Sequence, residues 1–192
     1  MHRKHLCELK VDEAARALLG QQLVRILTDG SRLKGKIVET EAYHETDPAA
    51  HTYNGKTDRN AVMIGPAGYA YVYFVYGMHY CLNVVTGPEG TGEAVLIRAL
   101  EPKEGMDVMQ QNRSLQAKTP GNMCSGPAKL TQALAIDRQF NGHDLRSSPL
   151  YLKEGKPVAD THITRSTRVG VRSGASTPWR FYIKGNAFIS KP

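Results

Sequence analysis

The stretch from Lys36 to Asn83 constrains what this chain can fold into more than any other. It opens with Lys36-Ile-Val-Glu39-Thr-Glu41-Ala-Tyr43 and closes with Tyr71-Val-Tyr73-Phe-Val-Tyr76-Gly-Met-His79-Tyr-Cys81-Leu-Asn83. Both ends are dense in β-branched and aromatic residues and free of proline, which predicts strands. Side chains of a strand alternate between its faces. Glu39, Glu41 and Tyr43 therefore share one face, and Val38, Thr40 and Ala42 share the other. Two carboxylates beside an aromatic ring make a poor core and a good site. The closing half folds back on itself. Tyr71 to Val75 and Tyr80 to Thr86 are the arms of a hairpin, and Gly77 supplies the backbone freedom its turn needs. Tyr76 and Met78 then stand at the hairpin tip, where a large aromatic faces a partner rather than filling a core.

The remaining segments predict one mixed α/β (α+β) domain over residues 1–192. Its sheet is curved and largely antiparallel, a few helices flank it, and the hairpin protrudes. Met1 to Lys10 is polar and irregular. Val11 to Leu19 favours a helix that stops at Gly20. Further strands are expected over Gln22–Leu27, Glu93–Leu100, Leu150–Leu152 and Phe181–Lys184, and a strand or loop over Thr164–Gly174. A helix is expected to start at Pro102 and run to about Gln111. A second opens at Gly126-Pro127, with Leu130 and Leu134 on its buried face. Asn112 to Asn122 is polar, unpatterned and flexible. His44 to Ala67 is a long loop, usually a sign of function or mobility, and its Lys56-Thr57-Asp58-Arg59-Asn60 run is polar and basic enough to touch phosphates. Arg98 lies inside an apolar run, so it must be paired or face a cleft.

Charge narrows the partners. With 25 Lys plus Arg against 18 Asp plus Glu, the chain carries a formal +7, which points to a polyanion without choosing between DNA, RNA and an acidic membrane. Cys7, Cys81 and Cys124 are widely spaced and odd in number, so neither a disulfide framework nor a zinc site is indicated. No apolar run is long enough to span a bilayer and no signal-peptide core is present. Cytoplasmic or nuclear residence is the expectation.

Taken together, Val38-Glu-Thr-Glu41-Ala-Tyr43, His51, Tyr71-Val-Tyr73-Phe-Val-Tyr76-Gly-Met, Asn83 and Leu96-Ile-Arg98-Ala-Leu-Glu-Pro102 closely resemble the alkyladenine (3-methyladenine) DNA glycosylase family. Cys124-Ser-Gly-Pro127-Ala-Lys129-Leu, Arg168-Val-Gly-Val171 and Arg180-Phe-Tyr-Ile-Lys-Gly185 follow in the family's order. The resemblance runs from about Glu13 to Ser190, and it implies an enzyme that takes damaged purines out of double-stranded DNA. A base buried in a duplex must be flipped out of the stack, at a cost of a few kcal/mol.

By that resemblance, Tyr76 plugs the gap left by the flipped nucleotide, and Tyr43, His51 and Tyr73 sandwich its base. Stacking is worth roughly 1–3 kcal/mol per base, comparable to the cost of extrusion. Glu41 is the catalytic carboxylate, stabilising oxocarbenium character and taking a proton from water. Arg98 pairs with Glu41 or with a flanking phosphate, and Glu39 has a structural role behind it. Asn83 crowds the exocyclic amine of normal guanine. Lys56, Thr57, Lys129, Arg168 and Arg172 are the expected phosphate contacts, with Met78 and His79 along the groove. His79 departs from the aromatic more usual there. No metal or cofactor is implied, no lysine need form a Schiff base, and a monomer is expected.

Three rivals remain open. One is a lesion-binding protein without catalysis. Another is a sugar glycosidase using Glu39 and Glu41. The third is a metal hydrolase using His44, His51 or His79, which no ligand spacing supports.

Overall fold

The computed structural model describes residues 3–75, 77–113 and 119–191. In chain order the helices and strands begin with α1 (Arg3–Glu8), α2 (Val11–Leu18), β1 (Gln22–Ile26) and β2 (Arg32–Tyr43). The hairpin follows as β3 (Ala70–Val75) and β4 (His79–Val85), then β5 (Ala94–Glu104), α3 (Met106–Asn112) and α4 (Pro127–Ala133). The chain closes with β6 (Leu150–Lys153), β7 (Ile163–Ser166) and β8 (Arg180–Ile183). Every strand pairing among the described residues is antiparallel, in the order β3-β4-β5-β2-β1-β6, with β8 on β2 and β7 on β8.

Strand β2 is the axis. One edge pairs with β5 along most of its length. The other pairs with β1 over Arg32–Lys36 and with β8 over Glu39–Glu41. The register against β5 slips between Ile37 and Glu39 and again between Glu39 and Thr40, where the partner changes. A bulge bends a strand and raises its twist, so the sheet curls at Glu39.

The two faces of this segment have different fates, as alternation predicts. On one face Thr40 Oγ1 donates to the Ala15 carbonyl at 2.9 Å, under α2. That face joins the main core, built from Leu18, Leu33, Ile37, Leu82, Ile97 and Leu100. A smaller cluster of Ala50, Met63, Tyr71, Val85 and Ala94 lies apart from it, with Tyr43 and Tyr73 packed against it. Glu39, Glu41 and Tyr43 belong to this second side.

The hairpin pairs Val75 with His79, and Gly77 turns it at φ 69°. Helix α4 buries Leu130, and Leu134 at its C-terminal end is buried too. Pro102 does not start a helix. It continues β5, opposite Gly35. The β4 pairing of β5 stops at Leu96, so beyond it the absent proline N–H breaks no ladder bond on that side. Helix α3 starts four residues later, after Gly105 at φ 75°. A Cβ there would meet the Arg32 carbonyl at 2.6 Å. Residues 3–8 are helical rather than irregular, and Leu6 is buried in the core. The flexible stretch expected over Asn112–Asn122 falls partly outside the described residues. Among the described residues, no helix is long and apolar enough to cross a membrane.

Candidate active site

Alternation along β2 brings Glu39 and Glu41 to Arg98, which reaches across from β5. Arg98 Nε donates to Glu39 Oε1 at 3.2 Å, and Nη1 donates to Glu41 Oε2 at 3.3 Å. Glu39 also accepts from Arg180 Nε at 2.7 Å and from both the hydroxyl and the main-chain N–H of Ser190. Both carboxylates are fully buried. Two carboxylates facing two guanidiniums leave the cluster formally neutral, which lets four charges stay out of water. Burial alone would lower the Arg98 pKa, but Glu41 and Glu39 more than offset it and hold it above the ordinary guanidinium value.

Glu41 accepts from Tyr43 OH at 2.8 Å as well as from Arg98, and its other oxygen accepts from the Val169 N–H at 2.7 Å. An ionised carboxylate offers about four lone-pair sites, so one on Oε1 is left for a water. All three donors to Glu41 line a cavity of about 200 Å³. The carboxylate thus lies buried beneath the cavity, behind Tyr43, Arg98 and Val169.

The same cavity is lined by His51, Tyr73 and Asn83, so five of the six residues expected at the base pocket and the chemistry share one wall with Tyr71, Cys81 and Leu96. The His51 and Tyr73 rings meet edge to face at 4.5 Å. His51 Nδ1 lies 2.7 Å from Tyr71 OH. Asn60 holds this loop by donating to the carbonyls of His51 and Gly55. Asn83 donates through Nδ2 to the carbonyl of Tyr71, its partner across the hairpin, at 3.0 Å. Burial pushes the Tyr43 phenol well above its ordinary value, and the Glu41 charge adds to this. Burial likewise raises Tyr71 to about 12. Both phenols remain donors at neutral pH.

His51 is exposed at one edge, but desolvation of its ring against Tyr71 and Tyr73, and next the charge of Arg59, lower its pKa. The unfolded chain then binds more protons than the folded one in the window just below about 6.5, the ordinary histidine value. Stability must rise with pH through that window and level off above it. Denaturant midpoints between about pH 5 and 7.5 should climb more steeply for wild type than for His51→Gln. Parallel slopes would contradict this.

Arg168 corrects the sequence-based expectation. Its side chain is not at the surface but fully enclosed, ion-paired with Asp47 and donating to the carbonyls of Ala42 and Gly174. Its guanidinium lies 4.8 Å from the centre of the Tyr43 ring. Because Arg168 does not line the cavity, it backs that ring and anchors the loop carrying Val169. Lys56, Thr57 and Arg172 are exposed, although Thr57 also binds Asn60 through its main chain. Lys129 is half-buried and donates to Asn122. Met78 is 68 % exposed on the hairpin, beside Phe74 at 49 %, and His79 Nδ1 lies 3.3 Å from Gln132 Nε2. Tyr76 lies outside the described residues.

Sequence reasoning missed several contributors. Tyr71 had a signal, since it stands two residues from Tyr73 on the same strand face. Cys81 had the same signal, standing two residues from Asn83, whereas the contacts of the Val169 N–H, of Arg180 with Glu39, and of Ser190 form only on folding and had none.

A buried carboxylate under a stacking cavity, on a basic domain with an apolar hairpin tip, suits work on nucleobases. A family model described as methylpurine-DNA glycosylase (MPG) matches residues 5–187. The chain belongs to that family: it is a DNA glycosylase, and its substrate is DNA. It is 56% identical over 178 residues to a protein of Carboxydothermus hydrogenoformans, covering 92% of each chain. It is 50% identical over 180 residues to one of Methanoculleus marisnigri, again 92% of each. A Francisella tularensis protein is 48% identical over 189 residues, 97% of this chain and 96% of the other. All three bear the name "Putative 3-methyladenine DNA glycosylase".

Proposed function

We propose that this chain is a base-excision-repair enzyme, a monomer working in the cytoplasm or nucleus, that flips alkylated or deaminated purines out of duplex DNA. It hydrolyses the N-glycosidic bond by water attack and leaves an abasic site. The substrates are 3-methyladenine, 7-methylguanine, hypoxanthine and ethenoadenine. The observation that carries this reading is the convergence of Tyr43, His51, Tyr73, Asn83 and Arg98 on one cavity above Glu41.

The flipped base stacks among Tyr43, His51 and Tyr73, and a cationic alkylated purine gains cation–π attraction there. Asp47 neutralises the Arg168 guanidinium behind Tyr43, so that cation does not cancel the attraction. Glu41 offsets the positive charge building on the sugar and takes the proton of the attacking water. The base leaves with the electron pair of the broken C–N bond, a cationic alkylated purine as a neutral molecule and a neutral purine as an anion that takes a proton from solvent. Arg98 presents its remaining N–H groups to the flipped nucleotide. Asn83, its Nδ2 committed to Tyr71, is a fixed obstacle to the amine of normal guanine. Tyr76 fills the vacated stack, with Met78 and His79 along the groove, and Lys56, Thr57, Lys129 and Arg172 meet phosphates.

The experiment is excision from duplexes that each hold one of these lesions or normal guanine. Strands should stay intact until alkali is added and then break at the lesion, with guanine untouched. Strand breakage without alkali would overturn the water-attack mechanism, and no alkali-labile site on any lesion would overturn the enzyme.

A further inference from the structure

Arg98 is gripped from three sides, and the third grip comes from far along the chain. Its Nε and Nη1 donate to Glu39 and Glu41, and its Nη2 donates to Ser190 Oγ at 3.2 Å. Contacts on Nε and Nη1 fix where the guanidinium sits but leave its Nη2 corner held only through the flexible methylenes of the side chain. A third contact, on Nη2, fixes the plane. An arginine has five N–H donors and no acceptor, so three are spent on this grip and two remain for whatever enters the cavity. Their direction is set by the plane.

The hydroxyl has one proton, and chemistry decides where it goes. Arg98 can only donate, so Ser190 Oγ accepts from it and gives its own proton to Glu39 Oε1 at 2.9 Å. The serine does not depend on this bond to stay in place. Its main-chain N–H donates to Glu39 Oε2 at 2.5 Å. Arg180 donates to the carbonyl of Lys191, the next residue. Asn186 Nδ2 donates to Glu101 Oε2 at 3.2 Å. Removing the hydroxyl therefore deletes the third grip on Arg98 and leaves the segment anchored.

We propose that Ser190 is a positioning residue: through its hydroxyl it aims the free N–H groups of Arg98 at the flipped nucleotide. This rests on the role given to Arg98 under the proposed function.

The test is single-turnover base release by wild type, Ser190→Ala, Ser190→Thr, Arg98→Lys and the double variant Ser190→Ala/Arg98→Lys. Lesion-duplex affinity and melting temperature are measured alongside. Loss of one hydrogen bond to a charged group should slow release about tenfold in Ser190→Ala. Affinity should stay at the wild-type value, and the melting temperature should fall by only a few degrees in Ser190→Ala, because buried Glu39 loses one donor, and recover in Ser190→Thr. Threonine keeps a hydroxyl and should restore most of the rate. On the Arg98→Lys background, where the Nη2 contact is already gone, Ser190→Ala should cost less than about twofold.

Three results would overturn the proposal. Ser190→Ala could release base at the wild-type rate. It could slow Arg98→Lys as much as it slows wild type. Its loss of rate could track a fall in melting temperature that threonine does not repair. Wild-type release by Arg98→Lys would instead remove the role given to Arg98 itself, and the proposal with it, while no release by wild type would sink the function.

Discussion

Replacing Glu41 by glutamine should cut the rate of base release by about 10²–10⁴, the range for loss of a positioned general base. It should also destabilise the fold. Glu41 is enclosed by three donors, Tyr43 OH, Arg98 Nη1 and the Val169 N–H. A glutamine has one oxygen to offer them. If that oxygen faces Arg98, the amide NH2 meets the Val169 N–H; if it faces Val169, the NH2 meets Arg98. Either way a buried donor goes unpaired, at about 1–3 kcal/mol. The cluster also changes from neutral to a net positive charge held away from water, and breaking a buried ion pair costs about 3–5 kcal/mol. Glu39 still faces Arg98, so the total should fall nearer about 3 kcal/mol. Denaturant midpoints measure the second effect, and release well below the melting temperature measures the first. A glutamine variant that melts early but excises within a fewfold of wild type would leave the carboxylate a structural residue only.

Arg168→Ala should be strongly destabilising, and it should leave the salt dependence of DNA binding untouched. Its side chain is fully enclosed and Asp47 is almost as buried. The alanine leaves that carboxylate without its cation, takes a donor from the Ala42 carbonyl, leaves the Gly174 carbonyl with the Thr177 N–H, and removes the cation backing Tyr43. Breaking a buried pair costs about 3–5 kcal/mol, which for a chain of this size lowers the melting temperature by roughly 10 °C. The exposed candidates should behave in the opposite way. Lys56→Ala or Arg172→Ala should leave melting unchanged and lower the slope of log affinity against log salt by about 0.9 for each phosphate that is no longer neutralised. An Arg168→Ala protein with wild-type melting and a shallower salt slope would restore that residue to the DNA surface.

What was legible in the sequence was local. Period-two alternation set Glu39, Glu41 and Tyr43 against Thr40 and Ala42, and folding keeps those faces apart. The aromatic run, glycine and second run made the hairpin, and the small and apolar residues after Pro127 made α4. Family motifs picked out Tyr43, His51, Tyr73, Asn83 and Arg98, which fold to one cavity. What was not legible lies in contacts across long separations. Asp47 and Arg168 meet across 121 residues, so a basic stretch read as surface turned out to hold an internal ion pair. Ser190 and Glu39 meet across 151. Pro102 looked like a helix start because nothing local says that its side of β5 has lost its neighbour. At the other end of the chain, the polar letters of residues 3–8 hid the one buried leucine that docks α1.

The most direct measurement puts binding and chemistry on one time axis. With enzyme in excess over a duplex carrying a single hypoxanthine or methylated purine, the bound fraction and the free base are followed in the same sample, with and without a metal chelator. Binding should be rapid and be followed by release of one free base per duplex along a single exponential that the chelator does not change. Stable binding of the lesion duplex by wild type with no free base released would contradict it, and would leave a protein that finds damage without removing it.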